Sequence, residues 1–248
     1  MTALLRATYA EALKLRRTLT AWSAVLAPIA LVAFVFVLYL RSGEAGLGGR
    51  DAWTSYASNT LALWALCLLP LLIALQTALL AGVEHGEDGW THLYALGVPR
   101  WSIPAAKLII ALALLVVATV VLVAATLLGG RLLSVLRPEL GFGTVGPIGD
   151  VARPALRMLL AGLAILALQS WISMRRRGSA LPLTVGLTGT LLAWFTVGTG
   201  WLRLLPWALP LRALQPEHTA VAAVMIGGIG GGVLALLAIG DIARRELR

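Results

Sequence analysis

Few side chains in this chain can do chemistry, and their spacing excludes most of it. Lys14 and Lys107 are the only lysines, and neither follows the glycine-rich GxxxxGK[ST] loop that cradles nucleotide phosphates. The chain is therefore not expected to bind and hydrolyse ATP by that route. His85, His92 and His218 are the only histidines, and no HExxH pair places two of them on one helix face. No GxSxG elbow is present, and no Ser–His pair lies within an apolar run. Cys67 stands alone inside an apolar run, so it can form neither an internal disulfide nor a multi-cysteine metal site. The expectation is a non-catalytic chain with no metal and no cofactor of its own.

What remains is the chemistry of docking, and it concentrates between Val83 and Lys107, in VEHGEDGWTHLYALGVPRWSIPAAK. Glu84, Glu87 and Asp88 crowd the start of this stretch, where negative charge suits the positive end of a helix. Trp90, Leu93 and Tyr94 follow at helical spacing and share one face. Gly97 can close the helix, with Pro99 just beyond as a stop. A helix from Glu87 to Leu96 is about 15 Å long at 1.5 Å per residue, too short to cross a bilayer. Two readings stand side by side: a short amphipathic helix that docks a partner, and one that lies at the lipid surface.

The elements that hold this stretch are membrane spans. Hydrophobic residues make up 59% of the chain and charged residues 12%, against roughly 25% charged in ordinary soluble domains. The formal charge of +9 sits in short loops at the ends of apolar runs. The positive-inside rule accounts for it better than nucleic acid does. Hydropathy predicts an all-α polytopic membrane protein with six transmembrane helices, at residues 22–40, 61–82, 105–128, 156–174, 179–197 and 219–239. Arg157 and Gln169 shorten the uncharged core of the fourth. No cleavable leader is expected, so the first span acts as its own insertion signal. Residues 1–20 read as an interfacial helix, with Leu4, Leu5, Thr8, Tyr9, Ala12 and Leu15 on one side and Arg6, Lys14 and Arg17 on the other. With both termini inside, the basic residues favour the inner loops, and residues 83–104 form a cytoplasmic loop.

Two further features call for an explanation. Residues 198–218 are unusually apolar for a loop. Trp201 and Trp207 favour the membrane–water boundary, and Pro206 and Pro210 break any continuous helix. The reading is a re-entrant outer hairpin of two short helices before span six, roofing a substrate exit. The alternative is a surface loop with aromatic anchors. Span six carries two overlapping GxxxG pairs, Gly227/Gly231 and Gly228/Gly232, which allow close helix approach either within the subunit or between subunits.

On these residues the chain resembles an ABC-2-type transporter permease, and within that group the lantibiotic- or bacteriocin-immunity permeases. Glu11, Lys14, Leu15 and Trp22 resemble the family's opening E-x-x-K-L followed by Trp. Glu84, Gly89, Trp90, Leu93, Leu96, Pro99, Arg100 and Lys107 resemble its cytoplasmic-loop pattern, with Arg directly after Pro as a departure. Pro206, Trp207 and Pro210 resemble the Pro-Trp-x-x-Pro of the immunity type. The resemblance implies a single ABC-2 transmembrane domain, residues 1–248, in a bacterial cytoplasmic membrane. Its partners would be a cytoplasmic ATPase dimer holding ATP and Mg, a second permease subunit of the same or a related kind, and the lipid bilayer. Glu84, Glu87, Trp90, Leu93, Tyr94, Leu96, Pro99 and Arg100 would form an ATPase-coupling helix. The substrate would be an antimicrobial peptide or other membrane-active amphiphile, exported for immunity or resistance. A non-transporting scaffold and an ion-coupled secondary transporter are the alternatives. The second is disfavoured because the span centres lack Asp, Glu, Lys and Arg.

Overall fold

A computed structural model describes residues 2–15, 18–41, 51–85, 99–142, 146, 148–175, 178–195 and 205–244, and all its regular structure is helical. Five helices are long and apolar enough to cross a membrane: Leu19–Arg41, Ala52–Gly82, Ser102–Leu136, Gly149–Arg175 and Glu217–Ala243. In chain order the elements are α1 (Ala3–Lys14), α2 (Leu19–Arg41) and α3, which joins Ala52–Leu63 to Leu69–His85 through a π turn at Trp64–Leu68. Then come α4 (Ser102–Leu136), α5 (Gly149–Arg175) and α6 (Ala180–Phe195). A 3-10 turn at Pro206–Ala208 leads into the one-turn α7 (Leu209–Arg212). Last is α8, which joins Glu217–Met225 to Gly231–Ala243 through a second π turn at Ile226–Gly230.

Among the described residues, the expected count of six spans is corrected to five. The apolar run at 179–197 forms a helix of only 16 residues, about 24 Å long. That falls short of the ~30 Å hydrocarbon core. Hydropathy counted apolar residues, whereas a crossing needs helix length.

The re-entrant hairpin is also corrected. Among the described residues, 205–215 form one 3-10 turn and one four-residue helix rather than two helices dipping into lipid. Their apolar side chains go to the protein. Trp207 is 7% exposed, and its ring lies over Gly189 of α6, where a Cβ would stand 2.3 Å from the ring. Leu209 and Ala213 pack with Ala161 and Ala164 of α5 and Ala223 of α8. Pro206 is half-buried and Pro210 buried, while Trp201 lies outside the described residues. The expected coupling helix, residues 87–96, also lies outside them.

The direction of the chain follows from contacts. Arg157 of α5 bonds both carboxylate oxygens of Glu217 at 2.8 Å, and Arg175 reaches Asp241 at 2.8 Å. Hence α5 and α8 run parallel, and α6 with residues 205–215 brings the chain back between them. Ala81, Met174 and Ile242 meet at one end of the bundle, where α1 also docks on α4 through Glu11 and Lys107. The start of α1 and the end of α8 therefore belong to the same end. At the opposite end Tyr39, Tyr56 and Phe142 make edge-on ring contacts at 5.4–6.4 Å.

Between the two Arg–carboxylate pairs the backbones of α5 and α8 nearly touch. A Cβ at Gly227 would stand 2.4 Å from the Ala161 backbone, and one at Gly231 would stand 2.6 Å from the Leu163 carbonyl carbon. Gly228 and Gly232 face open space. Of the two overlapping glycine pairs, one packs within the subunit and the other does not. Gly227→Leu or Gly231→Leu is thus expected to lower stability by about 1–3 kcal/mol, the usual range for overpacking. Gly228→Leu should stay within about 0.5 kcal/mol, as for an unpacked surface site. Thermal unfolding in detergent checks both, and equal losses at Gly227 and Gly228 would refute the assigned packing face.

Candidate functional site: the charge cluster at the root of the 83–104 loop

Three elements converge on one lysine. Lys107 sits two turns into α4, a helix whose start is fixed by the Ser102 backbone N–H and hydroxyl, both donating to the Pro99 carbonyl at 2.9 and 2.7 Å. Its Nζ donates to Glu11 Oε2 at 3.1 Å and to the Leu80 carbonyl at 2.7 Å. Glu11 Oε1 takes a further bond from Lys14 at 2.7 Å. Glu11 is 5% and Lys107 3% exposed. Burial of an ion pair is tolerated only when its partners are complete, and here both carboxylate oxygens and a backbone carbonyl supply them. Leu80 lies near the C-terminal end of α3, where the helix dipole favours a cation.

The cluster ties α1 to both roots of the loop that follows span two. One root is the end of α3, and the other is the start of α4. Beside it lies a cavity of about 10 Å³ lined by Thr77, Lys107, Ser170 and Met174, among others. That is roughly the room of one water. Two buried amides stiffen the surrounding helices. Gln76 donates to Ser23 Oγ at 3.5 Å. Gln169, in the amide orientation that satisfies it, donates to the Pro182 carbonyl at 3.2 Å and accepts from Gly186 N–H at 3.0 Å. That second amide fastens the short α6 to α5. Among the described residues, no three His, Cys, Asp or Glu side chains gather as metal ligands, and Cys67 is a free thiol.

The structure places the anticipated docking residues unevenly. Glu84 lies in the last turn of α3, and Pro99 and Arg100 are exposed just before α4. Glu87, Trp90, Leu93, Tyr94 and Leu96 lie outside the described residues. Arg6, Lys14, Arg100, Arg175 and Arg244 are exposed on elements at this same end, giving it a basic character. Glu11 faces protein, which a lipid-surface helix does not predict, although Leu5, Tyr9 and Leu13 remain exposed. The signal that was available is Lys107 itself, a lysine inside the first turns of an otherwise apolar helix. Such a residue needs a partner.

A family model described as ABC-2 family transporter protein matches residues 7–193, from α1 into α6. No curated protein and no solved structure matched the chain. The proteins of that family are non-catalytic membrane transport subunits that typically work with a partner ATPase in the bilayer. The match does not single out the immunity permeases, and the Pro206-Trp207-x-x-Pro210 element that suggested them falls beyond residue 193.

Removing one member of the buried pair leaves the other uncompensated, at about 3–5 kcal/mol. Glu11→Leu and Lys107→Met are each expected to destabilise the protein by that order, and the Glu11→Leu/Lys107→Met double variant by less than either. A double-mutant cycle on unfolding midpoints reads the coupling, and strictly additive losses would show that the pair does not interact.

Proposed function

Because the chain belongs to the ABC-2 transporter family, we propose that it is the permease subunit of an ATP-driven exporter. In this reading two permease subunits, identical or related, pair with two cytoplasmic ATPase subunits that bind ATP and Mg. The complex expels a membrane-active amphiphile such as an antimicrobial peptide, conferring immunity or resistance. The protein sits in a bacterial cytoplasmic membrane with both termini and residues 83–104 in the cytoplasm, the short α6 and residues 205–215 together forming the return leg between the parallel spans α5 and α8. The exposed basic residues gathered at the α1 end support that orientation.

The observation that carries the proposal is the fastening of α1, α3 and α4 through Glu11, Lys107 and the Leu80 carbonyl. A partner seated on the 86–98 segment would push on both of its roots at once. Those roots are held to each other and to α1, so the push would move helices rather than only bend a loop. Trp90 and Leu93, with Glu84, Glu87, Tyr94, Leu96, Pro99 and Arg100 around them, supply the contact surface in this proposal. The Trp207 segment, buried against α6, would act at the far end by bridging α6 to α5 and α8, instead of dipping into lipid.

Purification of the tagged protein from its native membrane should bring down an ATPase that carries a GxxxxGK[ST] loop. Trp90→Ala or Leu93→Asp should weaken that association, since truncating a buried interface anchor typically costs about 2 kcal/mol or more. A cysteine placed at Gly89, in a Cys67→Ala background, should resist an impermeant thiol reagent in intact cells. Co-purification without any ATPase, or unchanged association in both variants, would defeat the docking assignment, and labelling at Gly89 would invert the topology.

A further inference from the structure

At the bundle end opposite Lys107, a groove of about 450 Å³ opens between the first half of α3, the first turns of α5 and the residues around α7. Its volume is in the range of drug-sized sites. The walls are apolar, with Trp53 and Leu61 from α3, Pro154 from α5, and Leu211 and Leu214 from the α7 segment. Asp150 is the one charged side chain among the residues lining it. Thr54 stands on its rim, and its N–H and hydroxyl both donate to Asp51 Oδ2 at 3.1 Å, which brings a second carboxylate alongside. The nearest cations on the same helix do not enter the groove. Arg153 is absent from its lining, as is Arg212 of α7, and Arg157 is engaged by both oxygens of Glu217. A protein with a formal charge of +9 thus presents a locally acidic, apolar-walled groove where the apolar bundle meets its polar end.

We infer that this groove receives a cationic amphiphile, its charged head beside Asp150 and Asp51 and its apolar part along Pro154, Leu211 and Leu214. The inference rests on the exporter reading and gives that reading its substrate class: an organic cation with an apolar body. Charge complementarity selects the head, and the groove walls select the body. An anionic or neutral amphiphile of the same size gains the walls but not the carboxylates.

The test is photolabelling of the protein alone, in lipid nanodiscs, with a long-chain alkylammonium that carries a diazirine at mid-chain. Labelled peptides are mapped by mass spectrometry. Label is expected on residues 53–62 and 211–215, competed by unlabelled alkylammonium and not by the corresponding alcohol. Asp150→Asn should lower labelling about threefold to fivefold, in keeping with a partly solvated ion contact, while Asp150→Glu should retain it. Leu214→Trp, which fills the groove and keeps Asp150, should abolish labelling there. Size-exclusion profiles establish that each variant is folded. Label spread evenly over the exposed face of α8, equal labelling by the alcohol analogue, or indifference to both Asp150→Asn and Leu214→Trp would each overturn the inference. No ATPase takes part, so a negative result here leaves the permease reading standing, and failure of ATPase association leaves this result intact.

Discussion

A buried lysine with a complete set of partners is the constraint around which this bundle is arranged. Lys107 lies where the chain turns from span two to span three, and Glu11 and the Leu80 carbonyl meet it there, which makes its burial tolerable. Its partners come from residues 27 and 96 positions away. The N-terminal helix is therefore a structural member of the transmembrane body rather than an appendage. One carboxylate sets the placement of α1, and α1 in turn braces the two helices from which the 86–98 segment hangs.

The other half of the bundle is held by a different device. The parallel pair α5 and α8 is closed at both ends by Arg–carboxylate contacts and in the middle by glycine against backbone. Exposed ion pairs of this kind contribute little in free energy, but they sit where polar groups can stay solvated and fix the register of two long helices. The close approach at Gly227 and Gly231 supplies the packing, as small residues do where no hydrophobic effect drives helices together. In chain order the return leg lies between the two, fastened to α5 by Gln169 and covered by Trp207 over Gly189.

Hydropathy made the five long helices legible, and the E-x-x-K-L opening and the loop pattern made the family legible. Three features were not readable, each for a physical reason. The run at 179–197 has a span's composition, but its described helix is only 16 residues long, and composition carries no helix length. The Trp207 segment is apolar because it packs into protein, and apolarity alone does not tell a lipid solvent from a protein one. The two glycine pairs differ by one residue in register, and only the path of α5 decides which of them is buried. At the candidate site, Lys107 and Glu11 each carried a signal, yet nothing local joins two residues 96 apart. The residues 87–96 that the sequence singled out lie outside the described structure.

The short α6 has a consequence for the solvent as well as for the protein. Over its described residues α6 is about 6 Å shorter than the hydrocarbon core, and a mismatch of that size would be relieved by bilayer thinning at fractions of a kcal/mol per Å. The five longer helices impose no such deficit, so the deformation would be confined to the flank where α6 meets lipid. Many α6 side chains face outward there, Leu187, Leu191, Trp194 and Phe195 among them. With its described length, α6 would give the protein one thin side. Acyl-chain length around it would then act on the return leg first, since among the described membrane-length and apolar helices α6 is the shortest.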